Sequence, residues 1–166
     1  KEKFVLDNKQ HLSYNDIDIE LINNRGYLKN LHLAQLIHNS NINKNHNILH
    51  IGGLTGYFSI IISNLCNNLV VVENDERLLI ELKQNINDLS IENIKVVNAD
   101  FKEGYIEKIP YDYIIFDNPI DDISDTIKDQ VSDKSGNILL IKRISKNLCK
   151  AYRINNNKNI YTEEYL

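Results

Sequence analysis

The chain has 166 residues, 42% hydrophobic and 25% charged, with a formal net charge of −4. That length can bury a sizeable core without disulfide or metal staples, and the acidic balance argues against general binding to nucleic acid or an anionic membrane. The two cysteines, Cys66 and Cys149, sit in no CxxC or Cys/His cluster, so neither a disulfide framework nor a metal site is expected. No apolar run reaches the length of a membrane span and no secretory pattern opens the chain, which reads as cytoplasmic and reduced. No methionine occurs and the numbering starts at Lys1, so an N-terminal piece is expected to be missing.

In chain order, the first periodic segment is Tyr27–Ser40, whose leucines at 28, 31 and 36 fall near helical spacing. Short Ile- and Val-rich runs follow at Ile48–Ile51, Leu69–Val72, Ile94–Val97, Tyr113–Phe116 and Ile138–Ile141. Helices are predicted between them: one after Gly56, one over Asp75–Leu89 and one over Asp121–Val131. Unbroken apolar runs suit strands buried on both faces, and their alternation with helices predicts parallel βαβ units in a doubly wound α/β sheet. The end of the chain differs. Leu148–Ile154 and Ile160–Tyr165 read as two strands around the turn Asn155–Asn159, an antiparallel hairpin on the sheet edge. Without a repeat or a flexible linker, residues 1–166 are expected to form one domain. Its parts are an N-terminal segment and helix (1–45), a βα core (46–143) and the C-terminal hairpin (144–166).

Open α/β sheets bind ligands beyond the carboxyl ends of their strands, and three polar features fall there. The turn Gly52–Gly56, with Gly53 inside it, allows positive φ and close approach of backbone amides to a ligand. Glu73 follows the second core strand, where a carboxylate can accept both hydroxyls of a ribose. Asp100 and Phe101 follow the third, placed to meet the amino group and ring of an adenine. Each also has a plainer use: glycines turn chains, Glu73 precedes a helix whose dipole favours acids, and Asp100 can cap a turn. A nicotinamide dinucleotide is disfavoured, because the G-x-G-x-x-G pattern starting at Gly52 would need glycine at Leu54 and Tyr57.

Ordered along nearly the whole chain, KEKFV, HIGGLTGYFS, VVVENDERLLIELKQNI, VVNADFKEGY, PYDYIIFDNPI and KSGNILLIKR resemble the protein-L-isoaspartate O-methyltransferase family of S-adenosylmethionine-dependent class I methyltransferases. The resemblance implies a Rossmann-like fold, S-adenosylmethionine as cofactor, and methyl transfer to the free carboxylate of an isoaspartyl residue in a damaged protein. A carboxylate nucleophile needs alignment more than a base. By the same resemblance Gly52, Gly53, Gly56, Glu73, Asp100 and Phe101 are cofactor-side residues, Asp117 and Asn118 lie on the substrate side, and a monomer is expected.

The departures fall on one half of that site. Leu54 stands at the family's middle glycine, and His50 replaces an acid beside the methionine end of the cofactor. The segment Asp18–Leu28 lacks the family's loop prolines and glycines, and Leu28 stands at the serine implicated in catalysis. No catalytic residue is therefore assigned, and impaired activity is expected. The alternative is a methyltransferase-fold binding protein without catalysis. A lesser one, an amino-group methyltransferase, uses Asp117-Asn118-Pro119, which carries the first half of that class's motif.

Overall fold

The computed structural model describes residues 1–5, 7–22, 24–146 and 148–166. Residues Asn23, inside the predicted Asp18–Leu28 loop, and Asn147, inside the predicted tail, lie outside the described residues.

The apolar runs become adjacent strands because each presents side chains to both faces and needs cover on both. They are β3 (Asn47–Ile51), β4 (Asn68–Val72), β5 (Ile94–Val97), β6 (Tyr113–Ile120) and β7 (Lys134–Ser145). With β8 (Leu148–Asn157) and β9 (Ile160–Tyr165) they form a seven-stranded sheet in the order β5-β4-β3-β6-β7-β8-β9. The first five are parallel, and the last two continue as an antiparallel hairpin. Lys158 and Asn159 both adopt left-handed φ, of 53° and 62°, between the paired Asn157 and Ile160. That backbone matches the twist of a tight two-residue hairpin.

Alternation along the strands splits the core. Ile48, Tyr113 and Ile115 face one cluster, while Leu49, Ile51, Ile114 and Phe116 face the other. The first is covered by α1 (Asn30–His38), α2 (Tyr57–Ser63) and α3 (Glu76–Asp88), which contribute Leu33 and Leu36, Phe58 and Ile62, and Leu82 and Ile86. Asp75 starts α3 by accepting from the amides of Arg77 and Leu78 at 3.0 and 3.2 Å.

The second face has less helix than expected. Only α4 (Asp125–Lys128) forms where a helix over Asp121–Val131 was predicted, started by Ser124, whose Oγ accepts from Ile127 N. Ile123 and Val131 still reach that cluster from the flanking loops. The other departure is at the start. Before α1 the chain pairs β1 (Ile19–Ile22) with β2 (Arg25–Tyr27) as a separate two-stranded sheet, so the predicted helix from Tyr27 begins later, at Asn30. A Cβ at Gly26 would overlap the Ile19 carbonyl, so this pairing needs glycine there. A third cluster of Phe4, Val5, Ile19, Leu21, Tyr27, Leu54 and Leu78 fastens the hairpin to the turn after β3.

Among the described residues no helix is long and apolar enough to cross a membrane.

Candidate functional site

Strand order reverses at β3, which lies between β4 and β6. The parallel register aligns Ile51 with both Val72 and Phe116, and Val72 with Val97. One step further along each strand, Gly52, Glu73, Asn98 and Asp117 therefore stand in a row, at the place where such sheets hold ligands.

The turn after β3 is tied inward. Gly52 N and Gly53 N both donate to Val72 O, at 2.9 and 3.2 Å, and Gly56 N donates to Gly53 O at 2.9 Å. Gly52 and Gly56 have φ of 90° and 100°. Gly53 has a different reason to be glycine, since a Cβ there would overlap Val71 Cγ1 on β4. Leu54 takes the left-handed conformation itself, at φ 52°. That conformation costs a non-glycine residue on the order of 1 kcal/mol. Burial offsets it: the fully enclosed Leu54 side chain packs into the N-terminal cluster, worth about 1.5–3 kcal/mol. Leu54 is thus an anchor for the β1–β2 hairpin.

Two hydroxyls complete that anchor. Tyr27 Oη and Thr55 Oγ1 are 2.6 Å apart, and Thr55 Oγ1 donates to Phe4 O at 2.6 Å. Burial pushes the Tyr27 phenol far above its ordinary pKa, opposed by its bonds to Thr55 and to the Tyr57 amide, so it stays a neutral hydroxyl.

Glu73 is fully enclosed and fully used. Arg25, on β2, reaches it with both terminal nitrogens: Nη1 donates to Oε1 at 2.9 Å and Nη2 to Oε2 at 2.7 Å. Oε2 also accepts from Leu54 N, and Oε1 from Asn74 N and Asp75 N, each at 2.9 Å. A charge taken out of water needs this degree of pairing to persist. The same guanidinium lies over the face of Phe101, its Cζ 4.8 Å from the ring centroid. Sequence reasoning did not single out Arg25. The available signal was an arginine between Asn24 and Gly26, two turn formers, in the segment that the resemblance places at the pocket.

Asp100 is exposed, and one carboxylate oxygen accepts from Lys102 N at 2.7 Å, stabilising the turn that follows β5. On the other side of β3, His50 is enclosed, with Nδ1 2.9 Å from Ser59 Oγ and its ring edge-on to Phe58. His50 Nε2 lies 3.3 Å from Asp117 Oδ1 but is not aligned with it as a hydrogen bond. Asp117 is buried too, and accepts from Asn118 Nδ2 at 2.9 Å, while Asn118 also reaches back to Gly52 O at 3.4 Å. Leu28 is elsewhere. It lines a cavity of about 540 Å³ between α1 and the β8–β9 hairpin, together with His32, Pro119, Ile141 and Cys149.

A Rossmann-like sheet whose strand ends carry a glycine turn and successive carboxylates, closed by a β7-β8-β9 antiparallel meander, defines a class I methyltransferase fold. The model of the family "Protein-L-isoaspartate(D-aspartate) O-methyltransferase" matches residues 1–165, and the chain belongs to that family. A protein-L-isoaspartate O-methyltransferase of Brucella anthropi is 27% identical over 141 residues, 85% of this chain and 64% of that protein. One from Dictyoglomus thermophilum is 32% identical over 114 residues, 69% of this chain and 51% of that protein. A solved structure of a protein-L-isoaspartate O-methyltransferase superposes with a TM-score of 0.87 at 22% identity, covering 99% of this chain and 55% of that one. The chain therefore spans less than two thirds of the length of these relatives.

Family membership implies S-adenosylmethionine as the cofactor. In this arrangement the residues do not fit its adenosine. Both oxygens of Glu73 are taken by a guanidinium and three amides, and the face of Phe101 is covered by the same guanidinium.

Proposed function

We propose that this chain is a protein-L-isoaspartate methyltransferase homologue that has given up methyl transfer and acts as a binding module on the inherited fold. The observation that carries this reading is the bidentate Arg25–Glu73 pair, buried at the carboxyl end of β4 where a ribose would be received. Displacing the arginine would strand a carboxylate that is 0% exposed, at a cost of about 3–5 kcal/mol. The departures at Leu28 and His50 agree with it, since leucine supplies no hydroxyl and His50 is committed to Ser59 and Asp117. Calorimetric titration with S-adenosylmethionine and S-adenosylhomocysteine tests it, alongside methylation of an isoaspartyl peptide. The expected result is no binding and no turnover, and methyl ester formation above the protein-free rate would sink the reading.

The second reading is an isoaspartyl methyltransferase whose β1–β2 hairpin withdraws when cofactor enters. It is favoured by Asp100, whose carboxylate stays exposed beside Phe101 with a single backbone donor. It predicts saturable binding of S-adenosylhomocysteine accompanied by deprotection of the amides of β1 and β2 in hydrogen exchange.

A further inference from the structure

We propose that β9 is a self-complementary sheet edge, and that two copies of the chain associate through it into one continuous sheet. The inference goes beyond both readings of the site and depends on neither. β9 (Ile160–Tyr165) closes the large sheet on one side, and all six of its residues are exposed. Folded proteins blunt such edges with short strands, lysine, proline or a bulge. The opposite edge follows that rule, since β5 has four residues and carries Lys95. β9 contains neither lysine nor proline and pairs with β8 without a bulge. Ile160, Tyr161 and Tyr165 leave large side chains in water along it.

The hairpin fixes which way the backbone groups of β9 point. Residues flanking a two-residue loop such as Lys158-Asn159 form a hydrogen-bonded pair, and such pairs then alternate along the strands. Ile160 pairs with Asn157, so Ile160, Thr162 and Glu164 turn their amides and carbonyls towards β8. Leu166, in the same phase, donates from N to Ala151 O at 3.0 Å. Tyr161, Glu163 and Tyr165 therefore point theirs outwards, and among the described residues no strand lies beyond them.

These three residues match themselves. A two-fold axis normal to the sheet at Glu163 sets Glu163 against Glu163 of the second copy, and Tyr161 against Tyr165 of the second copy on either side. Every outward group then meets another in an antiparallel ladder, two bonds to each pair. The tyrosines form cross-strand aromatic pairs, which stabilise such a ladder. Facing glutamates alone would repel, but each already holds a cation: Lys142 Nζ lies 3.0 Å from Glu163 Oε1. Across the axis the charges run lysine, glutamate, glutamate, lysine, with no net charge. Because β7 and β9 are both antiparallel to β8, they run the same way, and the axis puts the two candidate sites at opposite ends of the joined sheet.

The test is sedimentation velocity over about 1–300 µM protein, with residue-resolved hydrogen exchange at both ends of that range. One strand pair makes a small interface, so a dimer with a dissociation constant on the order of 10–100 µM is expected. The amides of Tyr161, Glu163 and Tyr165 should gain protection as concentration rises, while those of Thr162 and Glu164 are protected throughout. Glu163→Pro removes only an outward N–H, which an edge strand tolerates, so it should keep the fold and weaken association ~100-fold. The double variant Tyr161→Lys/Tyr165→Lys sets lysine against lysine and should weaken association as well, which keeps the test decisive if the proline variant does not fold. A wild-type chain that stays monomeric across the range, or grows into open-ended assemblies, overturns the proposal. So does a dimer that persists in either folded variant, or one whose three outward amides exchange as fast as in the monomer. None of these outcomes bears on whether the site binds S-adenosylmethionine.

Discussion

Glu73 and Asp100 stand beyond the ends of adjacent parallel strands, both acidic, the first leading into α3 and the second into a turn, yet they are in opposite states. Glu73 is enclosed, with all of its acceptor capacity toward the site consumed by Arg25 and three amides. Asp100 is exposed and bonds a single amide two residues on. Residue type and strand position made them look alike. What separates them is Arg25, which lies 48 residues before Glu73 and aims at one carboxylate only. A carboxylate in the right place is a ligand group only if the rest of the chain leaves it free.

The largest expected effect that sharpens this contrast comes from Arg25→Ala. It strands the enclosed Glu73 and should lower unfolding free energy by about 3–5 kcal/mol in urea denaturation, with Arg25→Lys recovering part of it. A loss under about 1 kcal/mol would mean that Glu73 is hydrated in solution. Next comes His50→Glu, which puts an acid at the end of β3. It faces Asp117 3.3 Å from the present imidazole nitrogen, so two buried carboxylates would repel. We expect a loss of about 3 kcal/mol at neutral pH that shrinks on acidification, when one carboxyl takes up a proton. An equally stable variant would show that the β3–β6 end has room for the charge.

Leu54→Ala should cost about 2–4 kcal/mol, because the side chain is fully enclosed in the hairpin's cluster. Leu54→Gly deletes one carbon more yet also relieves the left-handed backbone at φ 52°, so it should be no worse than alanine. If glycine proves clearly less stable, the turn is not strained by Leu54. The smallest effect is expected at the exposed acid. Asp100→Ala loses one turn hydrogen bond and should cost about 0.5–1 kcal/mol, with Asp100→Asn nearly neutral, both read from denaturation midpoints. A cost near that of Arg25→Ala would erase the distinction between the two strand ends.

Much of the fold was legible because its signals are local. The five core strands need only Ile and Val runs, and the C-terminal hairpin needs only two strand patterns around asparagine-rich residues. The pattern over Asp121–Val131 predicts a longer helix than forms, since Ile123 and Val131 are buried from loops flanking the four-residue α4. The β1–β2 hairpin is not legible in the sequence because its strands are short and its pairing is stabilised by a cluster assembled from distant segments. Leu54 and His50 were visible as oddities, but their partners were not. Leu54 has gone to the N-terminal cluster and His50 to Ser59 and Asp117.

By itself the sequence determined the α/β class, the strand order's raw material and the row of polar residues past the strand ends. These follow from hydrophobic periodicity and chain connectivity, which act over a few residues. Only the tertiary structure decided that Glu73, within that row, is already paired. Hydrogen-bond saturation of a buried carboxylate depends on which side chain arrives from far along the chain, and for Glu73 the one that arrives is Arg25.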